Sequence, residues 1–273
     1  VWLYIVDIYS PIGKKCASQL KIFIYHTSLL KNLPGSNIEI LNENNVNTAF
    51  TRTCPSDSEI VVFRKEEWFK VFIHETFHSF GLDFSDMNNA DATKYILTIF
   101  NVASNVNLYE AYTETWTEIM NALFCSYLKM GNSEKSVERF LVNSEFFLYY
   151  ERNYSFFQMV KILDFMGLDY DIITSNSDTA YITVKMLYKE KTNVFPYYII
   201  TAIIISNFNT FMLWCKSNNS NILQALRRQP SLPPPPLRHA CRSVPPDGRI
   251  SVRRCRPLAS ASAVPRSDRA API

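Results

Sequence analysis

The strongest constraint on this chain is a pair of histidines four residues apart within one apolar run. The run covers residues 68–81 and contains His-Glu-Thr-Phe-His at residues 74–78. Its apolar positions recur with helical spacing, so the run predicts one amphipathic helix. Positions four apart share a helix face, so the imidazoles of His74 and His78 can bind one metal ion. Glu75 is rotated by about 100° and can reach a water on that metal without being a ligand.

The flanking residues give this helix clear ends. Residues 59–64 are rich in β-branched side chains and predict a strand that leads into it. Gly81 follows the last periodic residue and suits a left-handed C-cap, so we expect a helix over about residues 66–80. The alternative is a pair of histidines on a helix face without a metal.

Two imidazoles do not complete a catalytic metal site, which takes a third protein ligand and keeps one position for water. Residues 107–118 offer one, because Glu110, Glu114 and Glu118 recur at intervals of four among aromatic and aliphatic residues. Like charges at this spacing repel each other on a helix surface. A metal or a histidine partner would relieve that repulsion, and the alternative is a solvated acidic face.

With both patterns present, the chain resembles the gluzincins, zinc peptidases that pair HExxH with a downstream Glu-x-x-x-Asp/Glu. The resemblance implies three Zn²⁺ ligands: His74, His78 and Glu110. It also implies that Glu75 is the general base and that Glu114 is a hydrogen-bond partner of a ligand histidine. A register one turn later, with Glu114 as the ligand and Glu118 behind it, stays open. The metzincin pattern fits less well, because it needs a histidine where Phe84 stands and the neighbouring Asp83 is out of phase.

The resemblance extends upstream to residues 45–51, which look like the edge strand that zincins place beside the cleft. Such a strand pairs with an extended peptide, so the implied partner is a peptide or protein substrate. The implied substrate-binding residues are Asn47, Ala49 and Phe50, and the alternative is an ordinary edge strand or loop. Residues 45–124 are also similar to uncharacterised HExxH proteins of large DNA viruses, which assigns no substrate.

A peptidase also needs a donor for the oxyanion that forms during hydrolysis. The candidates in the sequence are four tyrosines, Tyr109, Tyr112, Tyr149 and Tyr150, and no pattern chooses among them. His26 precedes the motif, and we expect it to be structural.

The chain divides into a body, residues 1–221, and a tail, residues 222–273. For the body we predict an α+β, zincin-like fold, with a small N-terminal sheet and the active-site helix followed by a mainly helical lobe. The predicted strands cover residues 20–25 and 59–64. The predicted helices after residue 90 cover residues 91–104, 107–129, 135–142, 144–166 and 179–189.

Residues 194–215 carry no charged side chain, and their length alone would allow a membrane span. Asn207 and Asn209 interrupt the stretch, and its apolar centre is short. We therefore expect a buried helix, with a membrane anchor as the alternative.

The tail differs sharply in composition from the body. It holds ten arginines and the proline run 233–236, which predicts disorder, since such a segment cannot bury a core. A chimeric or out-of-frame origin explains the change more simply than a basic arm. The net charge of +3 does not indicate a nucleic-acid partner.

The six cysteines are widely spaced and form no CxxC pair. We therefore expect the thiols to be reduced and the protein to lie in the cytoplasm, that of an infected host cell included. The chain begins at Val1 without a charged leader, which predicts a fragment of a longer protein rather than a signal peptide.

Taken together, the sequence predicts a zinc-dependent peptidase and leaves its oligomeric state open. The alternative is a non-catalytic helical protein with a structural metal or none.

Overall fold

The N-terminal part of the chain is built on a small mixed sheet. The computed structural model describes residues 1–11, 13, 15–131, 135–218 and 250–253. Strands β1 (Gln19–Thr27) and β3 (Asp57–Arg64) run parallel at its centre. The short β2 (Ala49–Phe50) lies antiparallel to β3, and the backbone of β4 (Ile250–Arg253) lies antiparallel to β1. The strand order is therefore β2-β3-β1-β4, with β2 at one edge.

Two helices cover this sheet because each has an apolar face. In β3, alternate residues from Ser58 to Arg64 are buried, as the two-residue period of a strand requires. Helices α1 (Trp2–Tyr9) and α3 (Trp68–Ser79) contribute to the same core. The indole N–H of Trp2 donates to Thr76 Oγ1 at 2.7 Å, which ties α1 to the histidine helix.

The other regular elements of the described chain are helices, so the overall class is α+β, as predicted. The remaining helices are α2 (Glu43–Val46), α4 (Ala90–Ile99), α5 (Leu108–Lys129), α6 (Val137–Phe165), α7 (Tyr170–Thr174), α8 (Asp178–Leu187), a π-helical segment (Phe195–Ile200), α9 (Thr201–Ser206) and α10 (Phe208–Asn218). They bury a second core, separate from that of the sheet.

Helix α5 contacts both cores. Ala111 near its start is fully buried in the helical core, whereas Trp116, Met120 and Phe124 pack against the sheet core. The acidic ridge of α5 is thereby held against the histidine helix α3.

Several predicted boundaries are wrong. The two helices predicted over residues 135–142 and 144–166 are one helix, α6. The helix continues through Asn143, whose side-chain amide donates to the Ser126 carbonyl of α5. The helix predicted over residues 91–104 ends at Ile99. In the predicted edge strand, Asn45 and Val46 belong to α2, and only Ala49–Phe50 forms a strand.

The expectation of reduced thiols is wrong for one pair, because Cys16 and Cys54 form a disulfide. They are 38 residues apart in sequence, and the parallel pairing of β1 with β3 brings them together just before the two strands begin. Disulfides persist chiefly in oxidising compartments, so the cysteines no longer support a cytoplasmic location. Cys125 and Cys215 are free, whereas Cys241 and Cys255 lie outside the described residues.

The uncharged stretch after residue 194 is largely buried where it enters the helical core. Phe195 and Ile199 are fully buried, and Ile205 is nearly so. Among the described residues, no single helix is long and apolar enough to cross a membrane. The consecutive helical stretches Phe195–Ser206 and Phe208–Asn218 are long and apolar enough together, and the chain bends by 91° between them. The disorder predicted for the tail concerns residues that, apart from 250–253, lie outside the described part of the chain.

Gly81 ends the histidine helix in the left-handed conformation, as the sequence predicts, with φ at +64°. A Cβ at this position would lie 2.9 Å from Cys16 Sγ. We therefore expect Gly81→Ala to lower the free energy of unfolding by roughly 1–3 kcal/mol through backbone strain, measured by urea denaturation. The matched control is Gly131→Ala, since a Cβ at Gly131 meets no described atom within 4 Å. Equal stability of the two variants would contradict the packing described for Gly81.

Candidate metal centre

Two imidazoles and one carboxylate converge between α3 and α5. His74 and His78 lie one helical turn apart, and their Nε2 atoms are 3.1 Å from each other. Glu110 Oε2 of α5 lies 3.3 Å from His74 Nε2 and 3.2 Å from His78 Nε2. All three residues are buried, and their ligand atoms lie within 4.8 Å of one another, close enough to bind a metal ion.

The separations also match the size of such an ion. Ligand atoms at 2.0–2.1 Å from a tetrahedral metal lie about 3.3–3.4 Å from one another. The three separations here, 3.1, 3.2 and 3.3 Å, are close to that value. The residues present therefore fit a metal with these three ligands.

Each imidazole is oriented by a second carboxylate on its other nitrogen. His74 Nδ1 lies 2.8 Å from Glu114 Oε2, and His78 Nδ1 is within hydrogen-bond distance of Asp83 Oδ2. When each Nδ1–H donates to its carboxylate, each Nε2 is free to bind the metal. Glu118, the other acid of the alternative register, lies further along α5 and accepts a hydrogen bond from Ser155.

The contact of Asp83 was missed by the sequence analysis, which set this residue aside as out of phase. Helical phase applies only within a helix, and α3 ends at Ser79. The turn at Gly81 then directs the chain back towards the helix, so that Asp83 meets His78. An acid shortly after a helix-ending glycine is the sequence signal that could have indicated this contact.

Glu110 is itself held by two side chains from far along the chain. The Tyr197 hydroxyl donates to Glu110 Oε2 at 3.1 Å, and the Asn193 amide donates to Glu110 Oε1 at 3.1 Å. Asn107, just before α5, donates to Asn193 Oδ1 at 2.8 Å. No motif links these residues to the histidines, so the sequence analysis did not find them.

A half-buried lysine, Lys70, offsets the charge of the acidic ridge. Lys70 Nζ lies 2.8 Å from Glu114 Oε1 and 4.0 Å from Glu67 Oε1. Lys31 pairs with the other oxygen of Glu67 at 2.6 Å. Burial lowers the pKa of Lys70, but Glu114 and Glu67 raise it, so that the pKa lies well above its usual range. The acids of α5 therefore do not form a solvated face.

The carboxylates strongly favour the charged form of both histidines. Burial lowers the pKa of His74, but its hydrogen bonds to Glu110 and Glu114 raise it, to about 9. Burial likewise lowers the pKa of His78, whereas Asp83 and Glu110 raise it to about 10. Without a metal, the histidine pair therefore retains protons at neutral pH, and the 3.1 Å between the two Nε2 atoms suits one proton between them. A divalent cation would replace protons there.

Glu75 occupies a different environment from the three ligand residues. It is 7% exposed and lines the same cavity. Burial raises the pKa of its carboxyl, an effect that the nearby His74 and His78 only partly offset. A higher pKa makes this carboxylate a stronger proton acceptor.

The centre lies in a cavity of about 220 Å³, which the proposed substrate residues Asn47, Ala49 and Phe50 also line. Of the four candidate oxyanion donors, Tyr109 lines this cavity. Tyr197, which the sequence did not indicate, also lines it.

The other three tyrosines do not line the cavity. Tyr112 packs edge-on against Phe84, and Tyr149 and Tyr150 are 59% and 64% exposed on α6. His26 also lies outside the cavity, where its ring packs at a tilt against Trp68.

Comparison of the chain with protein-family models, with curated proteins and with solved structures finds no match.

The geometry predicts that removing a metal ligand releases more bound Zn²⁺ than removing an acid that only orients a ligand histidine. Glu110→Ala should lose most bound Zn²⁺ under mild chelation, because a direct ligand is removed. Glu114→Ala and Asp83→Ala should each weaken affinity by about 10- to 100-fold, because each acid only orients an imidazole. Competition with a chelating dye measures both effects, and Glu145→Ala, an exposed acid on α6, is the control. Retention of zinc by Glu110→Ala together with its loss from Glu114→Ala would indicate the register one turn later.

The raised pKa values of His74 and His78 predict that metal binding is coupled to proton release. At pH 7 the pair retains protons that a metal must displace, so binding Zn²⁺ should release at least one proton. Affinity should rise as pH increases from 6 towards 9. Calorimetry in buffers of different ionisation enthalpy counts the protons, and His26→Asn should behave like the parent protein. Release of no protons at pH 7 would show that the rings are neutral before binding.

Proposed function

We propose that this protein is a zinc-dependent peptidase of gluzincin type. The observation that carries the proposal is the convergence of His74, His78 and Glu110 on one point, with a carboxylate behind each imidazole. Two imidazoles and one carboxylate form a donor set typical of catalytic zinc. Structural zinc sites, by contrast, are usually closed by four protein ligands. Among the described residues, three converge, and they do so at the wall of a cavity.

Zinc held by these residues would polarise the scissile carbonyl and lower the pKa of a bound water. Glu75 is adjacent to His74 in the helix and lines the cavity, which suits it to accept the proton from that water. It would then pass the proton to the leaving amine. Its raised pKa makes Glu75 the stronger proton acceptor in the first half of this transfer.

A tyrosine hydroxyl is available for the developing oxyanion. The ring of Tyr197 packs edge-on against His74, with its centroid 5.7 Å from that of the imidazole. Burial raises the pKa of Tyr197 well above its usual range, so its hydroxyl keeps its proton at neutral pH. In this structure the hydroxyl donates its one proton to Glu110 Oε2. Once a metal occupies that oxygen, the Tyr197 hydroxyl would donate to the reacting carbonyl oxygen instead, and Tyr109 lines the cavity on the side of His78.

The substrate backbone has an edge to pair with. Strand β2 pairs with β3 on one side only, and its residues Ala49 and Phe50 line the cavity. An extended peptide can add to such an edge through backbone hydrogen bonds. Asn47, just before β2, accepts a hydrogen bond from Thr192 at 3.4 Å, which links this wall of the cleft to the loop before Tyr197.

The proposal predicts that Glu75→Gln separates metal binding from hydrolysis. The amide keeps the shape of the side chain, and Glu75 is not among the converging ligands, so zinc content should stay the same. A neutral amide cannot accept a proton, so kcat for peptide hydrolysis should fall by about 10²–10⁴-fold. Zinc content is measured by mass spectrometry, and activity with a quenched fluorescent peptide library.

The matched control is Glu145→Gln, which makes the same chemical change on an exposed part of α6. Loss of zinc from Glu75→Gln would mean that the roles of ligand and base are misassigned. A zinc-loaded parent protein that cleaves no peptide in the library would favour a non-catalytic metal protein.

A further inference from the structure

The cavity does not end at the metal centre. It continues along α5 to the side chains of α6, where Glu118, Ser155 and Gln158 line it. Glu118 follows Glu110 by eight residues, which places it about 12 Å further along the helix axis. A long side chain of a substrate bound at the metal centre can span that separation together with the backbone atoms beside the scissile bond.

Glu118 at this far end is a buried acid that is only half paired. It is 5% exposed, and its Oε1 accepts a hydrogen bond from Ser155 Oγ at 2.9 Å. Its Oε2 is buried and has no hydrogen-bond partner among the described residues. Leaving a buried carboxylate oxygen unpaired costs free energy, so such an atom in a cavity indicates a missing partner.

The charges around this atom favour a cationic partner. The other acids near Glu118 are Glu114 and Glu151, and the nearby cation, Lys70, already pairs with Glu114. Burial raises the pKa of Glu118, and Glu114 and Glu151 raise it further despite the opposing effect of Lys70. The acids at the far end therefore outnumber the nearby lysine, and a substrate cation would stabilise the Glu118 carboxylate.

We propose that the far end of the cavity is a specificity subsite for a positively charged substrate side chain, lysine or arginine, with Glu118 as the residue that pairs with it. The ammonium or guanidinium group would donate to Glu118 Oε2, while Ser155 holds the other carboxylate oxygen. Gln158 and Tyr154 offer further polar contacts along the wall. This inference rests on the proposed peptidase function, and it adds the substrate class.

The test compares peptides that differ at a single position, which carries lysine, norleucine, glutamine or glutamate. Norleucine has nearly the length of lysine without its charge, so it isolates the ion pair. The zinc-loaded full chain should cleave the lysine peptide with a kcat/KM at least tenfold higher than the norleucine peptide. Glu118→Gln should remove most of that difference, whereas Glu145→Gln should retain it.

A second measurement does not require turnover. The same peptides are titrated into zinc-loaded Glu75→Gln protein, with and without Glu118→Gln, and their Kd values are measured by fluorescence anisotropy. Tighter binding of the lysine peptide that depends on Glu118 supports the subsite even if no peptide is hydrolysed, in which case only the proposed function fails. Equal binding of the lysine and norleucine peptides, a preference for glutamine or glutamate, or an equal loss for every peptide in Glu118→Gln would each overturn the subsite.

Discussion

The contact between α3 and α5 is the interaction on which the centre depends. It places a chain of alternating charge, from Lys70 through Glu114 and His74 to Glu110, in a largely buried position between two hydrophobic cores. Buried charges persist when each has a partner, and here every member of the chain contacts the next. The sheet core fixes α3 and the helical core fixes the start of α5, so the separation of imidazole and carboxylate is set by packing on both sides.

The parts of this structure that depend on local periodicity could be predicted from the sequence. The histidine pair follows from a four-residue spacing, and the acidic ridge from the same spacing repeated on α5. The left-handed Gly81 follows from its position after the last apolar residue. Such features need only the geometry of one helix, which the sequence carries directly.

The parts that could not be predicted depend on contacts between distant segments. Asn193 and Tyr197 approach Glu110 because the helical core brings residues more than 80 positions apart together. The disulfide depends on the register of two parallel strands, and Asp83 depends on the direction of a turn. The sequence predicted two helices separated at residue 143, whereas one helix runs through this position and the Asn143 amide donates to the Ser126 carbonyl of α5. In each case tertiary contacts override a local preference.

The π-helical segment Phe195–Ile200 makes the centre depend on the number of residues in that segment. A π-helix accommodates more residues per turn than an α-helix, and such segments arise as local expansions of an ordinary helix. Tyr197 lies within this expansion. Loss of one residue from the segment would restore regular winding and keep the following turns in register, but it would change which side chain within the segment faces Glu110. The hydroxyl beside Glu110 is therefore sensitive to insertion and deletion in this segment, a kind of variation that a comparison of substitutions alone would overlook.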